Sequence, residues 1–318
     1  MTVRVAVLDD YQRVAATFAD WSSLGPDVEV SYFHEHLGDP GAIVKALQEF
    51  DVVCLMRERT VLDADMISGL PRLRLIVTTG MVNASLDIAG ASAHGVVVSG
   101  TDVSGPETAE HAWLLIAMLL NGLLSDIEGV RSGGWQTGVG RRLAGSTVGL
   151  LGLGNLGSQI AAYARSFGMN LLAWSQNVTD ERAQERGAER AASLNDLFER
   201  SDIVSVHLKL SPRSRGLVAA EQLGLLGPDG YLVNTSRGPI VREPDLIEAL
   251  RTGAIAGAAL DTFDLEPLPA DHPFRTEPRA IITPHTAYVS RESYIGMYGQ
   301  TVEDIAAWLG GAPLRQLR

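Results

Sequence analysis

Three glycines, Gly152, Gly154 and Gly157, stand between an apolar run at 147–151 and a segment of helical apolar spacing at 155–167. Few folds accommodate that arrangement. A strand, a G-x-G-x-x-G turn and a helix, in that order, open a dinucleotide-binding βαβ unit. The first glycine permits the tight turn, the second lets the backbone approach a pyrophosphate, and the third lets helix and strand pack closely. The helix start adds free N–H groups and partial positive charge. Gly152, Gly154 and Gly157 are therefore expected to admit the pyrophosphate, with the amides of Asn155 and Leu156 donating to it. An ordinary glycine-rich turn leaves the start of a helix at that point unexplained.

The next strand, 170–174, ends in Ser175-Gln-Asn177. An NAD site usually places an acid there for the ribose 2′-hydroxyl. Ser175 takes that position, Asp180 and Glu181 come several residues late, and Arg182 is the nearest cation for a 2′-phosphate. NAD and NADP both stay open.

Around this unit, short apolar runs alternate with helical segments, which predicts parallel strands joined by crossover helices. Runs at 3–8, 51–56, 73–78 and 96–98 read as strands of a first α/β unit, with a helix over 39–50. Ser104 and Glu107 fit a capping box, with Pro106 in the first turn of a buried helix over 107–124. A loop-rich stretch follows over 125–144. Later strands are read at 203–207, 231–234 and 256–260, and a helix at 244–251. Ser290 caps a final helix that ends at Gly310-Gly311 and is expected to return to the first unit. The fold class is α/β, with two doubly wound parallel-sheet domains. A discontinuous domain comprises 1–103 plus 287–318, and a dinucleotide-binding domain comprises 104–286.

With 318 residues, 46% of them hydrophobic, there is material for two cores. A net charge of −12 makes nucleic acid and anionic lipid poor partners. The apolar run at 112–120 is too short to span a membrane, and the N-terminus meets Asp9-Asp10 too soon for a signal sequence. Cys54 stands alone, which suits a reducing compartment. A soluble cytoplasmic protein is expected. His34-Glu-His36 resembles a metal pair without a third ligand at fitting spacing, so no metal is assigned.

Three further segments follow β-rich runs. They are Asn234-Thr-Ser-Arg237-Gly-Pro, Asp261-Thr-Phe-Asp-Leu-Glu266-Pro, and Thr283-Pro-His285. Open α/β sheets bind ligands at the carboxyl ends of their strands. Singly, each residue has a bland reading as a surface arginine, a loop acid or a structural histidine. Together they supply what carbonyl reduction needs. A guanidinium holds a substrate carboxylate and polarises the adjacent carbonyl. An imidazole donates a proton to the developing alkoxide, and a carboxylate stabilises the imidazolium and fixes its tautomer.

These segments, with the glycine turn, resemble the signature of the D-isomer-specific 2-hydroxyacid dehydrogenases over nearly the whole chain. The resemblance implies two Rossmann-like domains with an active-site cleft between them, usually in a homodimer. It also implies hydride transfer between NAD(P)H and C2 of a small 2-oxo acid. By the same resemblance, Arg237 binds the substrate, His285 is the acid–base group, Glu266 supports it, and Asp261 contacts the nicotinamide carboxamide. The stretch Thr79-Gly80-Met81-Val82-Asn83 resembles the loop whose amides hold the substrate carboxylate. Val82 stands where a second glycine is usual, and Ala84-Ser85 where Asp-Asn is usual. Arg57 and Arg59 offer charge for a further anionic group, although a solvated surface is the simpler reading. The rivals are a formate or phosphite dehydrogenase on the same scaffold and a nicotinamide-nucleotide-sensing corepressor-type binding protein.

Overall fold

The computed structural model describes residues 2–136 and 138–318. The chain divides into two compact units, Met1–Gly105 with Val289–Arg318, and Pro106–Tyr288.

In the first unit, five parallel strands are β1 (Val3–Val7), β2 (Val28–Tyr32), β3 (Val52–Leu55), β4 (Leu75–Thr78) and β5 (Val97–Gly100). Their order is β2-β1-β3-β4-β5. β3 and β4 are buried throughout, and their sequences VVCL and LIVT, apolar but for Thr78, suit central strands covered on both faces. The sequence reading misses β2, because Val28-Glu-Val-Ser-Tyr32 alternates on a half-exposed edge and shows no continuous apolar run. β5 extends through Ser99-Gly100, where a turn was expected. Gly100 pairs with Thr78 of β4, and Ser99 bridges to Gln316 on the other side. The Arg291–Leu309 helix begins at Ser290, whose hydroxyl accepts from the Ser293 amide, and it buries Tyr294, Met297 and Ile305 in this unit.

The second unit carries β6 (Thr147–Leu151), β7 (Asn170–Trp174), β8 (Glu189–Arg190), β9 (Ile203–Val206), β10 (Tyr231–Asn234), β11 (Gly257–Leu260) and β12 (Ala280–Ile282). All pair in parallel in the order β12-β11-β10-β9-β6-β7-β8, so the direction of winding reverses between β6 and β9. A crevice opens beyond the carboxyl ends of the strands at such a reversal. Apolar clusters line both faces of the sheet. One is built around Ile116, Leu120 and Ile160, the other around Phe198, Leu223 and Leu250. The architecture is α/β with two doubly wound parallel sheets, as the strand–helix alternation predicts.

Two local expectations fail. The helix after Pro106 runs Glu107–Asn121, and Pro106 itself is the N-cap, with no side-chain capping bond from Ser104. Gly122 then takes a left-handed backbone (φ 72°) and its amide closes on Met118 and Leu119 carbonyls, ending the helix. A second helix, Leu123–Arg131, occupies part of the stretch read as loop, and Leu123, Ile127 and Val130 recur on it at helical spacing. The two helices meet at 68°, and among the described residues no single helix is long and apolar enough to cross a membrane.

Candidate active site

The glycine turn lies at the winding reversal, between β6 and the Asn155–Ser166 helix, whose N-cap is Gly154. Gly152 has φ 108°, and a Cβ there would come within 2.7 Å of the His207 carbonyl oxygen. A Cβ on Gly157 would overlap the Gly152 carbonyl oxygen. Both glycines are therefore demanded by the protein's own packing. Gly154 differs, since a Cβ on it meets nothing within 4 Å. The space above Gly154 and the helix start behind it suit the pyrophosphate of a dinucleotide. Ser175 is half-buried just after β7, beside the turn through the Gly152 amide bond to the Trp174 carbonyl. Asp180, the first acid after it, lies 3.5 Å from Arg190.

Arg237, Glu266 and His285 follow three adjacent strands, β10, β11 and β12. Asn234 shapes the first turn. Its Oδ1 accepts from the Ser236 amide and its Nδ2 donates to the Arg237 carbonyl at 3.0 Å. Gly238 lies so close to Phe263 that a Cβ would overlap the Phe263 carbonyl, which presses the Arg237 turn onto the segment leading to Glu266. Glu266 Oε1 accepts from the Phe263 amide at 2.9 Å, and its Oε2 lies 2.6 Å from His285 Nδ1. Because a carboxylate only accepts, Nδ1 carries hydrogen in this contact and Nε2 is left as the working nitrogen. The His285 ring stands edge-on to Tyr288, with centroids 5.8 Å apart.

Two expected ligands have other partners. Asp261 is fully buried, and its Oδ1 accepts from the Thr283 hydroxyl and the Thr286 amide while Oδ2 accepts from the Ala287 amide. It therefore binds the segment that carries His285. The Gly80 amide donates to the Thr101 hydroxyl at 3.0 Å. Gly80 is needed for another reason, since it has φ 109° and the Arg57 guanidinium lies where a Cβ would point. The Met81 and Val82 side chains are exposed beside it. Arg57 and Arg59 are not simply solvated. Arg59 donates to the Asp9 carbonyl at 2.8 Å and stacks over Tyr11, while Arg57 donates to the Thr79 carbonyl at 3.4 Å. His34 Nδ1 lies 3.1 Å from the Asp10 carbonyl, and His36 Nδ1 lies 3.5 Å from Asp9 Oδ1, so each imidazole faces an acid of the β1 exit.

Two histidines escape sequence reasoning. His111 sits in the apolar Glu107–Asn121 helix with Nε2 3.1 Å from Thr283 Oγ1. A lone imidazole on a buried helix was its only signal. His207 follows β9 beside the glycine turn. Its ring nitrogens are buried without a hydrogen-bond partner among the described residues, and burial pushes the imidazole down to about 4. Unfolded, this group takes up a proton near pH 6.5, whereas the native protein does so only near pH 4. Its stabilising contribution is therefore complete above about pH 6.5 and lost on acidification to about pH 4, a change of about 3 kcal/mol. Urea unfolding of cofactor-free protein is expected to show a smaller loss on acidification in His207→Leu than in wild type. Equal losses in the two proteins would mean that His207 is not held neutral.

The family model for the NAD-binding domain of D-isomer-specific 2-hydroxyacid dehydrogenases matches residues 113–287. A glyoxylate reductase of Aeropyrum pernix is 35% identical over 277 residues, 84% of this chain and 82% of that protein. A D-3-phosphoglycerate dehydrogenase of Bacillus subtilis is 33% identical over 274 residues, 84% of this chain but 51% of that longer protein. The crystal structure of a phosphoglycerate oxidoreductase from Vibrio cholerae superposes with a TM-score of 0.91 at 32% identity, covering 98% of this chain and 100% of that one.

Proposed function

The chain belongs to the D-isomer-specific 2-hydroxyacid dehydrogenase family, and on that premise we propose how its own residues carry the reaction. It is an NAD(P)-dependent oxidoreductase acting at C2 of a small 2-oxo or 2-hydroxy acid. The nicotinamide cofactor supplies or accepts the hydride. The glycine turn and the amides of Asn155 and Leu156 would hold its pyrophosphate, and Ser175 would serve its adenosine ribose. Pro106–Tyr288 is the unit assigned to the dinucleotide.

The single observation that carries the assignment of roles is the 2.6 Å contact between His285 Nδ1 and Glu266 Oε2. Glu266 is itself tethered to the Phe263 amide, so it holds the ring in one orientation and stabilises its charged form. His285 Nε2 gives its proton to the carbonyl oxygen during reduction and takes it back during oxidation. Arg237 holds the carboxylate of the 2-oxo acid and polarises its carbonyl. The amides of Met81 and Val82 are proposed donors to a substrate carboxylate, with Gly80 shaping their loop. Arg57 lies over that loop, which supports a preference for a substrate with a second anionic group.

Formate gives up only a hydride on oxidation to carbon dioxide and leaves a histidine–glutamate pair no proton to move, and a nucleotide-sensing corepressor would turn over nothing. Purified protein is to be offered NADH and NADPH separately with glyoxylate, hydroxypyruvate, pyruvate and phosphonopyruvate while nicotinamide absorbance is followed. Reduction of at least one acid to its D-hydroxy product is expected. Failure of every pair removes the assignment of substrate class. The same preparation tests a homodimer by light scattering. The exposed apolar side chains of Leu123, Ile127 and Val130, at helical spacing on one helix, support self-association. A reducing cytoplasm is the proposed location, consistent with Cys54 buried and unpaired.

A further inference from the structure

His285 has a left-handed backbone, with φ 52°. A non-glycine residue rarely adopts it and costs free energy there unless its surroundings hold it. The hydrogen bonds that hold it are visible, and most converge on one carboxylate. Asp261, at the exit of β11 and fully buried, accepts the Thr286 amide at 2.9 Å and the Ala287 amide at 2.9 Å. It also accepts the Thr283 hydroxyl at 2.6 Å, two residues before His285. The backbone is thus gripped on both sides of the histidine by a side chain from the neighbouring strand.

The network has a further member. Because Asp261 only accepts, the Thr283 hydroxyl spends its single proton on it. The contact of 3.1 Å between Thr283 Oγ1 and His111 Nε2 then requires Nε2 to be the donor. His111 Nε2 also lies 3.6 Å from Asp261 Oδ1. His111 therefore presents an N–H to the buried hydroxyl–carboxylate pair.

We propose that Asp261, Thr283 and His111 form a brace that fixes the backbone of His285, with His111 and Thr283 as positioning residues for the reaction. Glu266 orients the imidazole ring and the brace orients the peptide that carries it. The proposal rests on the reading of His285 as the acid–base group, and it gives Asp261 a task separate from any contact with a nicotinamide. A loop held at two amides and a hydroxyl presents Nε2 in one place, and displacement of a reacting group by about 1 Å can cost about a hundredfold in rate.

Thr283→Val, nearly isosteric, removes the hydroxyl that links Asp261 to His111. In the cofactor-free protein, amide exchange at Thr286 and Ala287 is expected to accelerate by about fivefold or more, the effect of losing one hydrogen bond from a network. In the complete enzyme, kcat is expected to fall about tenfold, with the pH profile of kcat displaced and the NADH dissociation constant within about twofold of wild type. His111→Leu should move the same quantities in the same direction. His111→Gln, which can keep an N–H donor at similar reach, should restore them. Unchanged exchange in Thr283→Val overturns the brace. Unchanged kcat and pH profile alongside faster exchange overturns its role in positioning. Weakened NADH binding with kcat intact at saturation would instead assign the cluster to the cofactor. Full turnover in His285→Ala would sink the acid–base reading, a failure that the exchange measurement tells apart from loss of the brace.

Discussion

Replacing His285 with alanine is expected to lower kcat for 2-oxo acid reduction by about three orders of magnitude, the middle of the range for loss of a positioned general acid. Binding of NADH, followed by its fluorescence, should stay within about twofold. The asymmetry follows from where the residue sits. His285 lies after β12, at the edge of the sheet, whereas the glycine turn lies after β6. Among the described residues the side chain is joined to Glu266 and packs edge-on to Tyr288, so its loss opens no core. What disappears is the group that protonates the alkoxide. Glu266→Gln separates orientation from charge. Glutamine can still accept from Nδ1 but carries no charge, so kcat for reduction should fall while the ring keeps its orientation. An unchanged kcat would take Glu266 out of the mechanism, and near-normal turnover in His285→Ala would take out the histidine.

Features whose cause lies within a few neighbouring residues were legible in the sequence. The glycine turn is one, since its spacing, the preceding strand and the following helix all fall within 147–166. Buried parallel strands are another, because β3, β4, β6, β9 and β11 are short runs made mostly of apolar residues. Features that depend on a distant partner were not. Nothing near Gly80 indicates that its amide is taken by the Thr101 hydroxyl, and nothing near Asp261 shows that its oxygens reach Thr286 and Ala287. His111 meets Thr283 across 172 positions of sequence. β2 was lost to its edge position, and the helix break at Gly122 was masked by apolar residues on both sides of it. Residue types announced the chemistry, while strand adjacency decided which of them meet.

Gly154 and Gly157 should respond to the same substitution in different ways, because the space around them differs. An added Cβ at Gly157 would overlap the Gly152 carbonyl oxygen. The helix can escape only by moving away from the turn, and Gly152 has little room to yield, with its own missing Cβ facing the His207 carbonyl oxygen at 2.7 Å. Gly157→Ala is therefore expected to cost about 1–3 kcal/mol of stability, typical of overpacking, and to withdraw the Asn155 and Leu156 amides from the pyrophosphate. Loss of NADH affinity of about a hundredfold or more should follow, since an anion site made of backbone donors depends on where they point. Gly154→Ala places its methyl in open space, so its thermal unfolding should match wild type. That space is the one assigned to the pyrophosphate, and NADH binding should still weaken about tenfold or more. Calorimetric titration with NADH alongside thermal melts separates the two variants. If Gly154→Ala binds NADH as wild type does, the pyrophosphate does not lie against that glycine, and the turn's N–H groups serve some other purpose.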